Sequence, residues 1–122
     1  MKTANPPQPP IPAQDRLQLQ AALRTALRED GPVLHYQPQM RDGALHGVEA
    51  LLRWRHPRLG AIAPPLVVQL AEECGLLHAL TLWVLREACR QMAKWQARDM
   101  AIPRVSVNLQ AGSLLDPALP EW

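Results

Sequence analysis

Gly47-Val48-Glu49-Ala50-Leu51-Leu52-Arg53-Trp54 is the stretch on which the reading of this chain turns. Its branched and aromatic residues suit a β-strand, and strand side chains alternate between two faces. Val48, Ala50, Leu52 and Trp54 therefore share one face, and Glu49, Leu51 and Arg53 share the other. An isolated amphipathic strand gives its polar face to water. A carboxylate and a guanidinium on that face are also the groups that line a site for a metal and an anionic substrate.

Working outward, Arg41-Asp42-Gly43 reads as a turn, and Val33 to Met40 as a strand before it. With Leu45 to Arg55 it forms an expected hairpin. His56-Pro57 breaks the second strand. Upstream, Leu19, Ala22, Leu23, Ala26 and Leu27 recur at helical steps from Gln14 onward, and Gly31-Pro32 ends that helix with a left-handed-tolerant residue. Downstream, Pro64-Pro65 opens a helix that Gly75 closes. Thr81 reads as the N-cap of a longer helix with Leu82, Leu85, Cys89, Met92 and Trp95 along its stripe. A third strand, Arg104 to Leu109, places Ser106, Asn108 and Gln110 on its polar face. Helix, hairpin, helix pair and strand together predict an α/β fold.

Composition narrows the function. The chain has 122 residues, 48% of them hydrophobic, which fits one domain at most. Its net charge of +2 is scattered, so nothing asks for a nucleic-acid partner. No apolar run nears the roughly 20 residues that cross a bilayer, and the N-terminus lacks the apolar core of a secretory signal. Residues 1–13 are proline-dense and read as a disordered or polyproline-II leader, with residues 14–122 as the folded part. Cys74 and Cys89 lack zinc-motif spacing and fall on apolar stripes, so they are expected as buried, reduced thiols in a cytoplasmic protein. His35, His46, His56 and His78 also lack metal-ligand spacing, Glu72-Glu73 reads as a solvated helix face, and the four tryptophans read as packing.

Several blocks stand in register: Tyr36-Gln37-Pro38-Gln39, Gly47 to Pro57, Leu70-Ala71-Glu72-Glu73-Cys74-Gly75-Leu76, Trp83 to Cys89 and Val105-Ser106-Val107-Asn108-Leu109. Together they resemble the first half of the EAL family of cyclic-di-GMP phosphodiesterases, whose Glu-Ala-Leu triplet stands here at residues 49–51. A bare Glu-Ala-Leu occurs everywhere by chance; the ordered blocks across residues 33–120 carry the resemblance. It implies a modified (β/α) TIM-type barrel with an antiparallel first strand, here truncated after about three strands. It implies hydrolysis of cyclic-di-GMP to linear pGpG with magnesium or manganese. By resemblance, Glu49 and Asn108 are catalytic metal ligands, and Gln37, Leu51 and Arg53 hold the dinucleotide, Arg53 through a phosphate oxygen.

The residue types suit those roles. Hard cations take oxygen donors such as carboxylates and amide carbonyls. Two such ions can activate water and stabilise both oxygens of an in-line displacement at phosphorus. A guanidinium donates paired hydrogen bonds to a phosphodiester. On periodicity alone, a solvated strand face is the plainer reading of Glu49, and Arg53 and Asn108 take their roles from the resemblance only.

The sequence also departs from the family. A complete barrel takes about 250 residues, and the family's later carboxylates, Asp-Asp-Phe-Gly loop and lysine have no counterpart here. Lys2 and Lys94 are the only lysines, phenylalanine is absent, and Val67 stands where the family tends to carry one. One carboxylate and one amide cannot hold two cations. The chain by itself is therefore expected not to hydrolyse cyclic-di-GMP, and to self-associate through an unpaired strand edge. The alternative is a non-catalytic EAL module that binds a protein or the dinucleotide.

Overall fold

A computed structural model describes residues 11–29 and 31–107. Its elements are α1 (Ala13–Arg28), β1 (Val33–Arg41), β2 (Ala44–His56), β3 (Gly60–Ile62), α2 (Pro64–Glu73), α3 (Leu77–Ala97) and β4 (Val105–Val107). The long strand β2 organises the sheet. It pairs antiparallel with β1 along nearly its whole length, antiparallel with β3 at Trp54–His56, and parallel with β4 at Val48–Ala50. The result is an open, mixed four-stranded sheet in an α/β arrangement.

Turn chemistry sets the β1–β2 register. Asp42 and Gly43 both adopt positive φ (52° and 78°), the two-residue turn whose twist matches a hairpin. A register shift at Gln39/Met40 brings Met40 opposite Leu45 and Gln39 opposite Gly47, so His46 is the extra residue of a bulge. Gly47 sits beside this bulge. A Cβ there would lie 2.9 Å from the Arg104 carbonyl oxygen, and that same oxygen accepts the Val48 N–H at 3.0 Å. The missing side chain is what lets the chain entering β4 dock against β2.

Alternation along β2 follows the sequence reading. Val48, Ala50, Leu52 and Trp54 are buried, while Glu49, Leu51, Arg53 and Arg55 are half-buried or exposed. The buried face joins Leu34 and Val107 beneath all three helices, which contribute Leu19 and Leu23 of α1, Val67, Val68, Leu70 and Ala71 of α2, and Leu80, Trp83, Val84 and Ala88 of α3. Each buried Leu or Val stabilises the fold by about 1.5–3 kcal/mol of removed apolar surface. Polar contacts fix α1 at its N-terminal half. Arg16 reaches Glu73 at 2.6 Å, and Arg58, in the β2–β3 turn, donates to Asp15 at 3.0 Å and to Gln18. Glu73 is thus exposed but engaged, receiving Gln20 as well.

Several expectations are corrected. The sequence reading missed β3. His56 does end β2, three residues beyond its last pairing with β1 at Arg53, but the chain folds straight back as a second hairpin. The His56 Nδ1 accepts the N–H groups of Arg58 and Leu59, each at 3.1 Å, and so caps that turn. Gly31 is not left-handed; it is needed for space, because a Cβ there would lie 2.8 Å from that of Ala26. Its N–H closes the helix end onto the Ala26 carbonyl at 2.8 Å.

The two later helices end as Schellman turns, at Gly75 (φ 76°) and at Asp99 (φ 58°), with Leu76 bonded back to Ala71 and Met100 to Trp95. Thr81 is not an N-cap. The long helix α3 starts at Leu77, where burial of Leu80 outweighs the absence of a capping side chain. It is also rotated from the expected stripe. Leu82, Leu85, Met92 and Trp95 are only half-buried, because the apolar arc is wide and period alone does not choose which part meets the sheet. The same rotation leaves Cys89 exposed and Cys74 half-buried, so the thiols are free but not core residues. Trp54 and Trp83 are buried as packing residues.

Candidate binding face on the sheet

Among the described residues the helices pack on one face of the sheet, and pairing decides which side chains gather on the other. Gln37 stands directly opposite Glu49 across β1–β2, and Ser106 stands opposite Glu49 across β2–β4. These three form a row across the sheet. Directly paired positions hold their Cβ atoms about 4.5–5.5 Å apart. His35 pairs with Leu51, and Val33 with Arg53, so the next two rows continue on the same face. Glu49 and Arg53 lie four residues apart, about 13 Å along the strand.

Local chemistry differs along this face. Glu49 and Leu51 are half-buried, while Gln37 and Arg53 are exposed. The Arg53 Nη1 donates to the Leu52 carbonyl at 2.9 Å, folding the guanidinium back over its own strand. A phosphate ligand would exchange that bond for bonds between opposite charges, in the bidentate geometry a guanidinium suits. Asn108 lies outside the described residues. Ser106 is a member of the row that sequence reasoning placed on the polar face without assigning it a role. The signal was there in its alternation with Val105 and Val107.

The donor set can be tested against a cation. Glu49 is the one carboxylate on this face among the described residues, flanked by the amide of Gln37 and the hydroxyl of Ser106. Among the described residues no three His, Cys, Asp or Glu side chains come together as a metal site. Magnesium is commonly held by one or two carboxylates with water and substrate phosphate completing the shell. The described part of the face therefore offers donors suited to one cation and not to two.

Beneath the face, on the helix side, Tyr36 meets Trp95 edge-on, with ring centroids 5.0 Å apart. Among the described residues its hydroxyl is the buried side-chain polar atom without a hydrogen-bond partner. Burial, reinforced by the Glu87 charge and opposed by Arg90, pushes the phenol up to about 12. Tyr36 pairs with Ala50 and so belongs to the core side, away from Glu49.

A family model of the EAL domain matches residues 20–122. The chain belongs to the EAL domain family. It is 48% identical over 101 residues to the bifunctional diguanylate cyclase/cyclic di-GMP phosphodiesterase MucR of Pseudomonas aeruginosa, covering 81% of this chain and 15% of that protein. It is 42% identical over 109 residues to the oxygen sensor protein DosP of Escherichia coli, covering 88% of this chain and 14% of the relative. The chain thus spans about one seventh of the length of these curated relatives. Among solved structures it resembles the PaMucR phosphodiesterase in complex with c-di-GMP, with a TM-score of 0.67 and 48% identity over 77% of this chain and 39% of that one. As an EAL fragment it is homologous to cyclic-di-GMP phosphodiesterases. Among the described residues no helix is long and apolar enough to cross a membrane.

Proposed function

We propose that residues 14–122 form the N-terminal part of an EAL-type TIM barrel whose open sheet face binds cyclic-di-GMP together with a divalent cation. In this reading Glu49 and Asn108 are the metal ligands, Gln37 and Leu51 contact the dinucleotide, and Arg53 takes a phosphate oxygen. Magnesium or manganese would supply Lewis-acid stabilisation of charge at phosphorus. The observation that carries the reading is the pairing of Gln37 with Glu49, with Leu51 and Arg53 following on the same face.

Among the described residues the face supplies one carboxylate, too few for two cations, so hydrolysis is not expected of these residues alone. That shortage favours the second reading, a module that binds cyclic-di-GMP without hydrolysing it. Two free thiols agree with a cytoplasmic setting, where disulfides are rare. Among the described residues the outer edge of β1 pairs with no strand, and an unpaired edge of that kind is where copies of the chain would associate.

Calorimetry with cyclic-di-GMP and magnesium or manganese, paired with chromatography for pGpG, tests both readings. The expected result is binding that Arg53→Ala weakens at least tenfold, with no pGpG formed. Binding unaffected by Arg53→Ala and Glu49→Gln would place the ligand elsewhere. Metal-dependent pGpG formation would overturn the inactive reading.

A further inference from the structure

A groove of about 340 Å³ runs between α1 and α3 on the helical layer, apart from the sheet face described above. Leu27, Leu82 and Trp83 line it with apolar surface, and Arg24, Arg28 and Arg86 contribute its charge. No Asp or Glu is among its lining residues. Elsewhere in the molecule, Arg16, Arg58 and Arg90 each reach a carboxylate, at 2.6, 3.0 and 2.6 Å. Arg24 and Arg28 also stand four residues apart on one helix face, a spacing at which like charges repel. The fold thus concentrates positive charge around a greasy cleft between two helices.

We propose that this groove docks an acidic amphipathic helix of a partner protein. Such a helix lays its apolar stripe into a cleft between two helices and sets its carboxylates against the rim. Three guanidiniums facing in from both sides give the charge complementarity that fixes orientation and rejects basic partners. A phosphate-bearing small ligand would leave the Leu27, Leu82 and Trp83 surface unused. A bilayer is flat and meets a concave groove poorly.

The probe is a 20-residue synthetic helix with leucines at successive three- and four-residue steps and glutamates flanking that stripe. Its control carries the same leucines with lysine flanks. Calorimetry and amide chemical shifts of the intact chain are recorded with each, and circular dichroism confirms that every variant is folded. The acidic peptide is expected to bind at least tenfold more tightly than the basic one and to shift α1 and α3 amides. Arg24→Glu with Arg28→Glu, and separately Arg86→Glu, each lower its affinity at least tenfold. All three positions are exposed, so the fold tolerates the change; Arg24→Ala with Arg28→Ala gives a milder loss in the same direction. Equal binding of both peptides, no binding of either, or affinity indifferent to these variants would overturn the proposal. So would a self-associated chain whose dimer Arg86→Glu dissolves, which assigns the groove to a second copy, or binding to phosphatidylserine vesicles in preference to the acidic peptide.

Discussion

The two faces of β2 are built from adjacent residues and obey different rules. On the covered face, Ala50 and Leu52 are each 1% exposed and packed against three helices. On the opposite face, Glu49, Leu51 and Arg53 alternate with them, the first two half-buried and the third exposed. Burial dictates what the first set must be, since a close-packed interior registers even one methylene. Core packing does not dictate the second set. In the reading proposed above, a carboxylate, a leucine and a guanidinium stand there for a ligand, and the contrast between neighbours separates residues that make the sheet from residues that use it.

Truncation of adjacent leucines is the sharpest way to break that contrast. Leu52→Ala is expected to cost about 2–5 kcal/mol, as large-to-small core changes do, against a total stability on the order of 5–15 kcal/mol. Leu51→Ala, one residue along, is expected to cost under about 1 kcal/mol. Urea unfolding with unchanged slope measures both, and equal losses would show that the open face is also packed. Next in size is Gly47→Ala. Its Cβ meets the Arg104 carbonyl that bonds Val48, so β4 must move or the bond must break. A loss of about 1–3 kcal/mol is expected from that overpacking. Amide exchange at Val48 should rise with it, and an unchanged rate would mean that β4 is held by something else.

A smaller effect probes the covered face from beneath. Tyr36→Phe removes a buried hydroxyl that has no partner among the described residues, so stability at neutral pH should change by less than about 1 kcal/mol, in either direction. The pH dependence is more telling. The folded phenol ionises near 12 against an ordinary 10, so between those values the native state holds more protons than the unfolded one. Stability from this group is complete below about pH 10 and declines as pH rises towards 12. Thermal melts of the chain should therefore fall through that window more steeply than melts of Tyr36→Phe. Parallel curves would show that the phenol is not desolvated.

The hairpin, its Asp42-Gly43 turn, the alternation of β2 and the sharing of one face by Glu49, Leu51 and Arg53 were all legible in the sequence. Each follows from a rule of short range: a turn that wants positive φ, a side-chain period of two, or a register fixed by a two-residue loop. What escaped was set by tertiary context. The strand β3 is only three residues long and exists because the far end of β2 offers it a partner. The start of α3 ignores its best capping residue, Thr81, because Leu80 is fully buried. Its rotation, and with it the exposure of Cys89, depends on which part of a wide apolar arc the sheet happens to meet. Ser106 was visible on the right face, but its place beside Glu49 needed the parallel β2–β4 register.

The smallest expected stability change is the one that bears most on function. Arg53 is exposed, and its hydrogen bond to the Leu52 carbonyl holds the side chain rather than the sheet. Arg53→Ala should therefore leave stability within about 0.5 kcal/mol, as exposed substitutions away from special features do. Glu49→Gln keeps the size while removing the charge and replacing one acceptor oxygen by an N–H donor. If these residues serve a ligand, the cost of changing them must surface in binding instead. The pairing of an undisturbed melt with a weakened dinucleotide isotherm is the signature of a face that is used but not structural. A melt lowered by several degrees in either variant would return these residues to the fold and erase the distinction between the two sides of β2.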